Sequence, residues 1–150
     1  MKQSIIIGVD VSKKTLDIFV RPCNFHVQID NSITGLKKWL KELRSTMDLS
    51  EAFLLMEHTG SYSNRLEKFL FEHGIRFCKV PALQIKRSMG VARGKSDKVD
   101  AARIAEYGWL RRDEMVADQP TPDDISTLQQ YLSLRKKMVK DRSGYLVMIK

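Results

Sequence analysis

Four carboxylates stand where the chain could do chemistry. Asp10 closes the apolar run SIIIGV, Glu57 closes the run AFLLM, and Asp97 and Asp100 stand three apart in GKSDKVDA. On a helix, positions i and i+3 share a face, so Asp97 and Asp100 would present their oxygens side by side. Such a pair is either part of a metal site or a solvated helix start. If all four acids met they would repel: two unit charges about 4 Å apart cost roughly 4 kcal/mol at an effective dielectric of 20. A divalent cation removes that conflict. Hard oxygen donors without His or Cys at ligand spacing favour Mg²⁺ or Mn²⁺ over zinc. Two such ions roughly 3.5 to 4 Å apart would suit in-line attack on a phosphodiester, one activating the nucleophile and one holding the leaving oxygen.

Meeting requires elements that bring the four together. Residues 4–9, SIIIGV, are β-branched and apolar, as in a strand buried on both faces, which puts Asp10 at its carboxyl end. LDIFVR alternates as a half-buried strand should, a turn at PCN follows, and FHVQI alternates again, so these three strands make an antiparallel meander. Asn31 or Ser32 can cap a helix whose apolar positions Ile33, Leu36, Trp39, Leu40 and Leu43 keep the 3.6-residue period. AFLLM reads as a second buried strand running into Glu57 and HTGSYS. A helix with Leu66, Phe69 and Leu70 follows and ends at Gly74, then comes the strand IRFCKV, stopped by Pro81. A short helix is expected from Ala82 to Met89, then the basic loop GVARGKS. Ser96 is placed to cap a helix carrying Asp97, Asp100, Ala101, Ile104 and Ala105 toward Leu110.

The string is β-β-β-α-β-α-β-α, an α/β domain with a mixed five-stranded sheet. Right-handed crossovers can lay the strand ending at Glu57 parallel beside the first strand, while the meander extends the other edge. Asp10 and Glu57 would then close neighbouring strands, where open α/β sheets bind ligands. DQPTPDD reads as a connector, and residues 124–150 as one long helix. Ile125, Leu128, Leu132, Val139, Leu146 and Ile149 fall on its heptad seam, interrupted by Arg135 and Arg142, and a second stripe runs through Tyr131, Leu134 and Met138. We divide the chain into a domain over 1–118 and a linker with the start of a helical region over 119–150.

Composition bounds the partners. The 150 residues suit one domain with a real core, and 43% hydrophobic with 29% charged residues is ordinary for a globular chain. No apolar run approaches the roughly 20 residues a bilayer needs, so a cytoplasmic, nucleoid-associated protein without a membrane partner is expected. The two cysteines, Cys23 and Cys78, lack ligand spacing and are expected to be half-buried thiols. The net charge of +8 favours a polyanion. Lys86, Arg87, Arg93, Lys95, Lys98 and Arg103 surround the proposed acidic site and are read as nucleic-acid backbone contacts. Ser12 and Lys13 after the first acid, and Thr59 in TGSYS, are further candidates for touching phosphate, although a solvated loop and a plain turn explain them equally well. His58 could assist proton transfer but suits a local structural hydrogen bond, and Trp39 and Trp109 are read as packing residues.

Three motifs together carry a resemblance. GVDVSKKTLDIFV with Asp10, MEHTGSYSNRLEKFL with Glu57, and GKSDKVDAARIAEY with Asp97 and Asp100 occur in the order found in the N-terminal domain of the DEDD insertion-sequence transposases of the 110 type. These are relatives of the Piv DNA invertases and are known as bridge-RNA-guided recombinases. The resemblance spans about residues 4–110 and implies a RuvC-like, ribonuclease-H-like fold. It further implies that Asp10, Glu57, Asp97 and Asp100 are catalytic acids that bind Mg²⁺ (or Mn²⁺) and act on DNA strands, with a structured guide RNA as a possible partner. The tail from about 124 resembles the start of the family's coiled-coil region, and homo-oligomerisation through it is expected. Family members continue into a C-terminal transposase domain with a serine nucleophile that has no counterpart here, so a truncated product incomplete for recombination is expected.

Two other functions compete with a metal-dependent recombinase domain. A sugar-kinase or actin-like phosphotransferase is suggested by the strand before GVDVSKKT, but it needs a second domain and a second glycine-rich phosphate motif that the sequence lacks. A non-catalytic nucleic-acid-binding or dimerisation module would use the tail helix and bind no Mg²⁺ or Mn²⁺.

Overall fold

The structure, a computed structural model, describes residues 3–58, 60–89 and 97–149, with Met89 and 97–99 described by backbone alone. It divides into two compact units, Met1–Pro120 and Thr121–Lys150.

The first unit is built on a five-stranded sheet of order β3-β2-β1-β4-β5. Strands β1 (Ile5–Val11), β2 (Thr15–Arg21) and β3 (Phe25–Asp30) form the expected antiparallel meander, and β4 (Ala52–Glu57) and β5 (Arg76–Val80) add in parallel beyond β1. The first strand runs two residues past the expected SIIIGV, so Asp10 lies inside the ladder, paired with Asp17. Asn24, with φ of 54°, turns the β2–β3 hairpin in the left-handed conformation that asparagine tolerates.

Each face of the sheet is covered by two helices. Ile7, Val9 and Val11 of β1 point to the side of α1 (Ile33–Thr46) and α2 (Asn64–Glu72), where Leu36, Trp39, Leu40, Leu66 and Leu70 bury against them. Burying a leucine of this kind contributes about 1.5–3 kcal/mol. Ser32 rather than Asn31 caps α1, its Oγ accepting from Gly35 N at 3.1 Å, and Ile33 is 46% exposed, so it does not join the buried stripe. The α2 helix closes on a Schellman pattern: Ile75 N donates to Leu70 O and Gly74 N to Phe71 O, with Gly74 at φ 71°.

Ile6, Phe53 and Leu55 point to the opposite side, toward α3 (Ala82–Met89) and α4 (Asp97–Leu110). The α4 helix settles on the sheet because β1 offers no side chain beneath it. A Cβ on Gly8 would lie 2.4 Å from both Ala101 O and Ala105 N. After α4 the chain returns along the free edge of β5, where Asp118 N donates to Phe77 O and Lys79 N to Asp118 Oδ2 at 2.7 Å, closing an edge that would otherwise invite foreign strands. Cys78 is buried there, whereas Cys23 is exposed, so neither thiol is half-buried as the sequence suggests.

The second unit is dominated by α5 (Asp123–Ile149), a single 27-residue helix, none of whose residues is buried. Among the described residues no helix is long and apolar enough to cross a membrane.

Candidate active site

The direction of α4 places its first turn over the candidate acids. Ala101 and Ala105 lie above Gly8, and Gly108, three residues further along, lies against Leu55 and Ile6. The helix therefore runs from the carboxyl end of β1 back toward its start. Its first turn, with Asp97 and Asp100, overhangs the strand end where Asp10 stands, two residues beyond Gly8 and on the same face. Glu57 is the last residue of β4 and shares that face with Phe53 and Leu55. The parallel register pairs Val9 with Met56, so Asp10 and Glu57 follow one step later on strands about 4.8 Å apart.

Electrostatics join Glu57 to α4. Burial raises the Glu57 carboxyl above its ordinary range, and the charge of Asp100 raises it further, while Lys86 and Arg103 pull it back. Two half-buried carboxylates close enough for their charges to interact fit a hard cation, which would replace their mutual repulsion with attraction. Among the described residues no three His, Cys, Asp or Glu side chains form a ready group of ligands, and the Asp97 side chain lies outside the described set.

The remaining candidates distribute as follows. Lys86 and Arg87 are exposed on α3, and Arg103 is half-buried on α4. Ser12 and Lys13 lie in the exposed β1–β2 turn, where the Ser12 hydroxyl is engaged within the turn, 2.8 Å from Thr15 O. His58 is exposed, and its backbone N–H donates to Val80 O, continuing the β4–β5 ladder. Lys98 is placed on α4 by its backbone, and Thr59, Arg93, Lys95 and Ser96 lie outside the described residues. Trp39 packs in the core as expected. Trp109 is half-buried with the Arg21 and Arg112 guanidinium groups 5.2 and 4.4 Å from its ring centre.

Two polar features near the site escape a reading by period alone. Asp17 is 4% exposed although alternation makes it the wet side of β2, because α4 covers that face. It lies directly across from Asp10, and its carboxylate accepts from Gln28 Nε2 at 3.2 Å and pairs with His26 Nε2 at 3.0 Å. Asn31, suggested above as a helix cap, is buried and instead ties turns together. Only the mismatch between a strand-end amide and the serine cap beside it hints at this in the sequence.

A family model for transposases of the DEDD insertion-sequence 110 type matches residues 7–147. A 44.8 kDa protein of insertion element IS116 from Streptomyces clavuligerus is 28% identical over 138 residues, covering 91% of this chain and 32% of that protein's length. Two structures of Thermus thermophilus RuvC, one of them in complex with Holliday junction substrate, align with TM-scores of 0.52 and 0.51 at 12% identity, over 76% of this chain and 98% of theirs. At that identity the likeness concerns the fold, which is RuvC-like.

Proposed function

The chain belongs to the DEDD transposase family of the insertion-sequence 110 type, and from that premise we propose that residues 1–118 are a metal-dependent catalytic domain acting on DNA phosphodiesters. The observation that carries this reading is the placement of Asp10 and Glu57 at neighbouring strand ends beneath the first turn of α4, with the charge of Asp100 helping to raise the Glu57 carboxyl. Asp10, Glu57, Asp97 and Asp100 would hold Mg²⁺ or Mn²⁺. Bound there, the cation supplies charge neutralisation and a more acidic water for phosphodiester attack. The chain's own part is to set the acids in place: β1 and β4 fix two of them on adjacent strand ends, and α4, seated on Gly8, brings the others over the top. Lys86 and Arg103, which already act on Glu57, stand where a phosphate backbone would approach.

The α5 helix supports a second role, self-association. Its apolar seam through Leu128, Leu132, Val139 and Leu146 is about half exposed at each position and suits a partner helix from a second copy. Residues 119–150 would then be a linker and the start of a helical region. A structured guide RNA is compatible with the basic surface, and recombination as a whole would draw on family parts beyond the 32% of the IS116 relative that this chain spans.

Calorimetric titration with Mn²⁺ tests the central claim. Binding is expected in the wild-type chain and expected to vanish in Asp10→Ala and Asp100→Ala, with circular dichroism unchanged. Binding that survives both substitutions, or none in the wild type, favours the non-catalytic module.

A further inference from the structure

We propose that Asn31 is a positioning residue that sets the separation of the turns following β1 and β4, and through them the separation of Asp10 and Glu57; the last step rests on the function proposed above. The strand β3 runs parallel to β1 across the meander, so Asn31 emerges at the same end of the sheet as the two acids. It is 6% exposed and makes four hydrogen bonds to three different segments. Its backbone N–H donates to Lys14 O at 2.8 Å. Its Nδ2 donates to Ser12 O at 2.9 Å and to Tyr62 O at 3.1 Å, and its own carbonyl accepts from the Arg65 guanidinium on α2.

One nitrogen atom thus serves carbonyls from both turns. Ser12 lies two residues after Asp10, and Tyr62 lies five after Glu57 in the 3-10 turn Gly60–Ser63. The far side of that turn is anchored independently: Ser63 Oγ donates to the fully buried Glu67 at 2.8 Å, and Lys79 Nζ pairs with Glu67 at 3.2 Å. With the turn after β4 fixed from α2 and β5, the Asn31 amide adds a direct bond from that turn to the turn after β1, beside the backbone bonds of Asn31 to Lys14 and Arg65. Asn31 is itself held tightly, because α1 begins against the end of β3, and a Cβ on Gly35 would fall 2.5 Å from Asp30 O. Among the described residues the buried Asn31 Oδ1 has no hydrogen-bond partner, so the side chain acts here through its donor.

The test uses the 150-residue chain with Cys23→Ser and nitroxides on Lys13→Cys and Ser61→Cys, read by dipolar broadening, together with Mn²⁺ affinity. Asn31→Asp keeps the shape but turns an acceptor toward two carbonyls, so it is expected to separate the labels more than Asn31→Ala does. Asn31→Ser, which keeps one donor and guards against a variant that fails to fold, is expected to fall between wild type and Asn31→Ala. Mn²⁺ affinity is expected to drop about 10-fold or more in Asn31→Asp, the scale seen when the partners of metal ligands are removed. If all three variants keep the wild-type broadening and affinity and lose only thermal stability, the proposal is overturned. Should the wild type bind no Mn²⁺, the acid cage fails by itself, and the broadening alone decides the link: unchanged refutes it, reduced in the stated order upholds it.

Discussion

Gly8 and Ala105 meet so closely that no side chain fits between them: a Cβ on Gly8 would stand 2.4 Å from the Ala105 backbone nitrogen. With the equally close approach of Ala101 O to Gly8 and of Gly108 to Leu55, that contact sets the height of α4 above the sheet, and with it the height of Asp100 above the strand ends.

Gly8→Ala is therefore expected to destabilise the chain by about 1–3 kcal/mol, the cost of an added carbon that backbone cannot yield to. Urea unfolding should show a lower midpoint with an unchanged slope. Mn²⁺ affinity should fall in the same variant, because α4 must lift.

The Glu57 carboxyl gives a pH signature. Its proton affinity in the folded chain is raised above the ordinary value of 4.5 by burial and by Asp100. Between that value and the raised one, the folded chain binds more protons than the unfolded chain. Stability present below pH 4.5 is thus lost as the pH rises through the folded value. Glu57→Gln should remove this loss, making the metal-free chain more stable at neutral pH than the wild type. Thermal melts from pH 4 to 8 without divalent metal check it, and an identical pH profile in both proteins would refute the site's electrostatics.

Lys86 and Arg103 flank Glu57 and are expected to contact phosphate. Binding to duplex DNA should weaken with salt, and each of Lys86→Ala and Arg103→Ala should reduce the slope of log K against log salt by about 0.9. Fluorescence anisotropy at several salt concentrations measures it.

The two thiols should differ sharply in reactivity. Burial, with a smaller contribution from Asp118, pushes the Cys78 thiol up to about 12, whereas Cys23 is exposed. One equivalent of a thiol reagent should react in the native chain at pH 8 and two after denaturation.

Much of this was legible in one dimension. The apolar runs, the alternation in the meander, the 3.6-residue stripe of Leu36, Trp39, Leu40 and Leu43, and the stop at Gly74 named the elements and their order, because period and punctuation are local properties of a chain. Connection length and handedness then made β4 the parallel neighbour of β1, which put Asp10 beside Glu57. The tertiary structure alone decided which polar residues are buried and what they hold. Asp17 alternates like any solvent-facing residue until α4 covers it, and Asn31 resembles a cap until two turns converge on its amide. Burial and hydrogen bonding between residues far apart in the chain depend on distances that no spacing encodes, so these roles emerge only when the helices settle on the sheet.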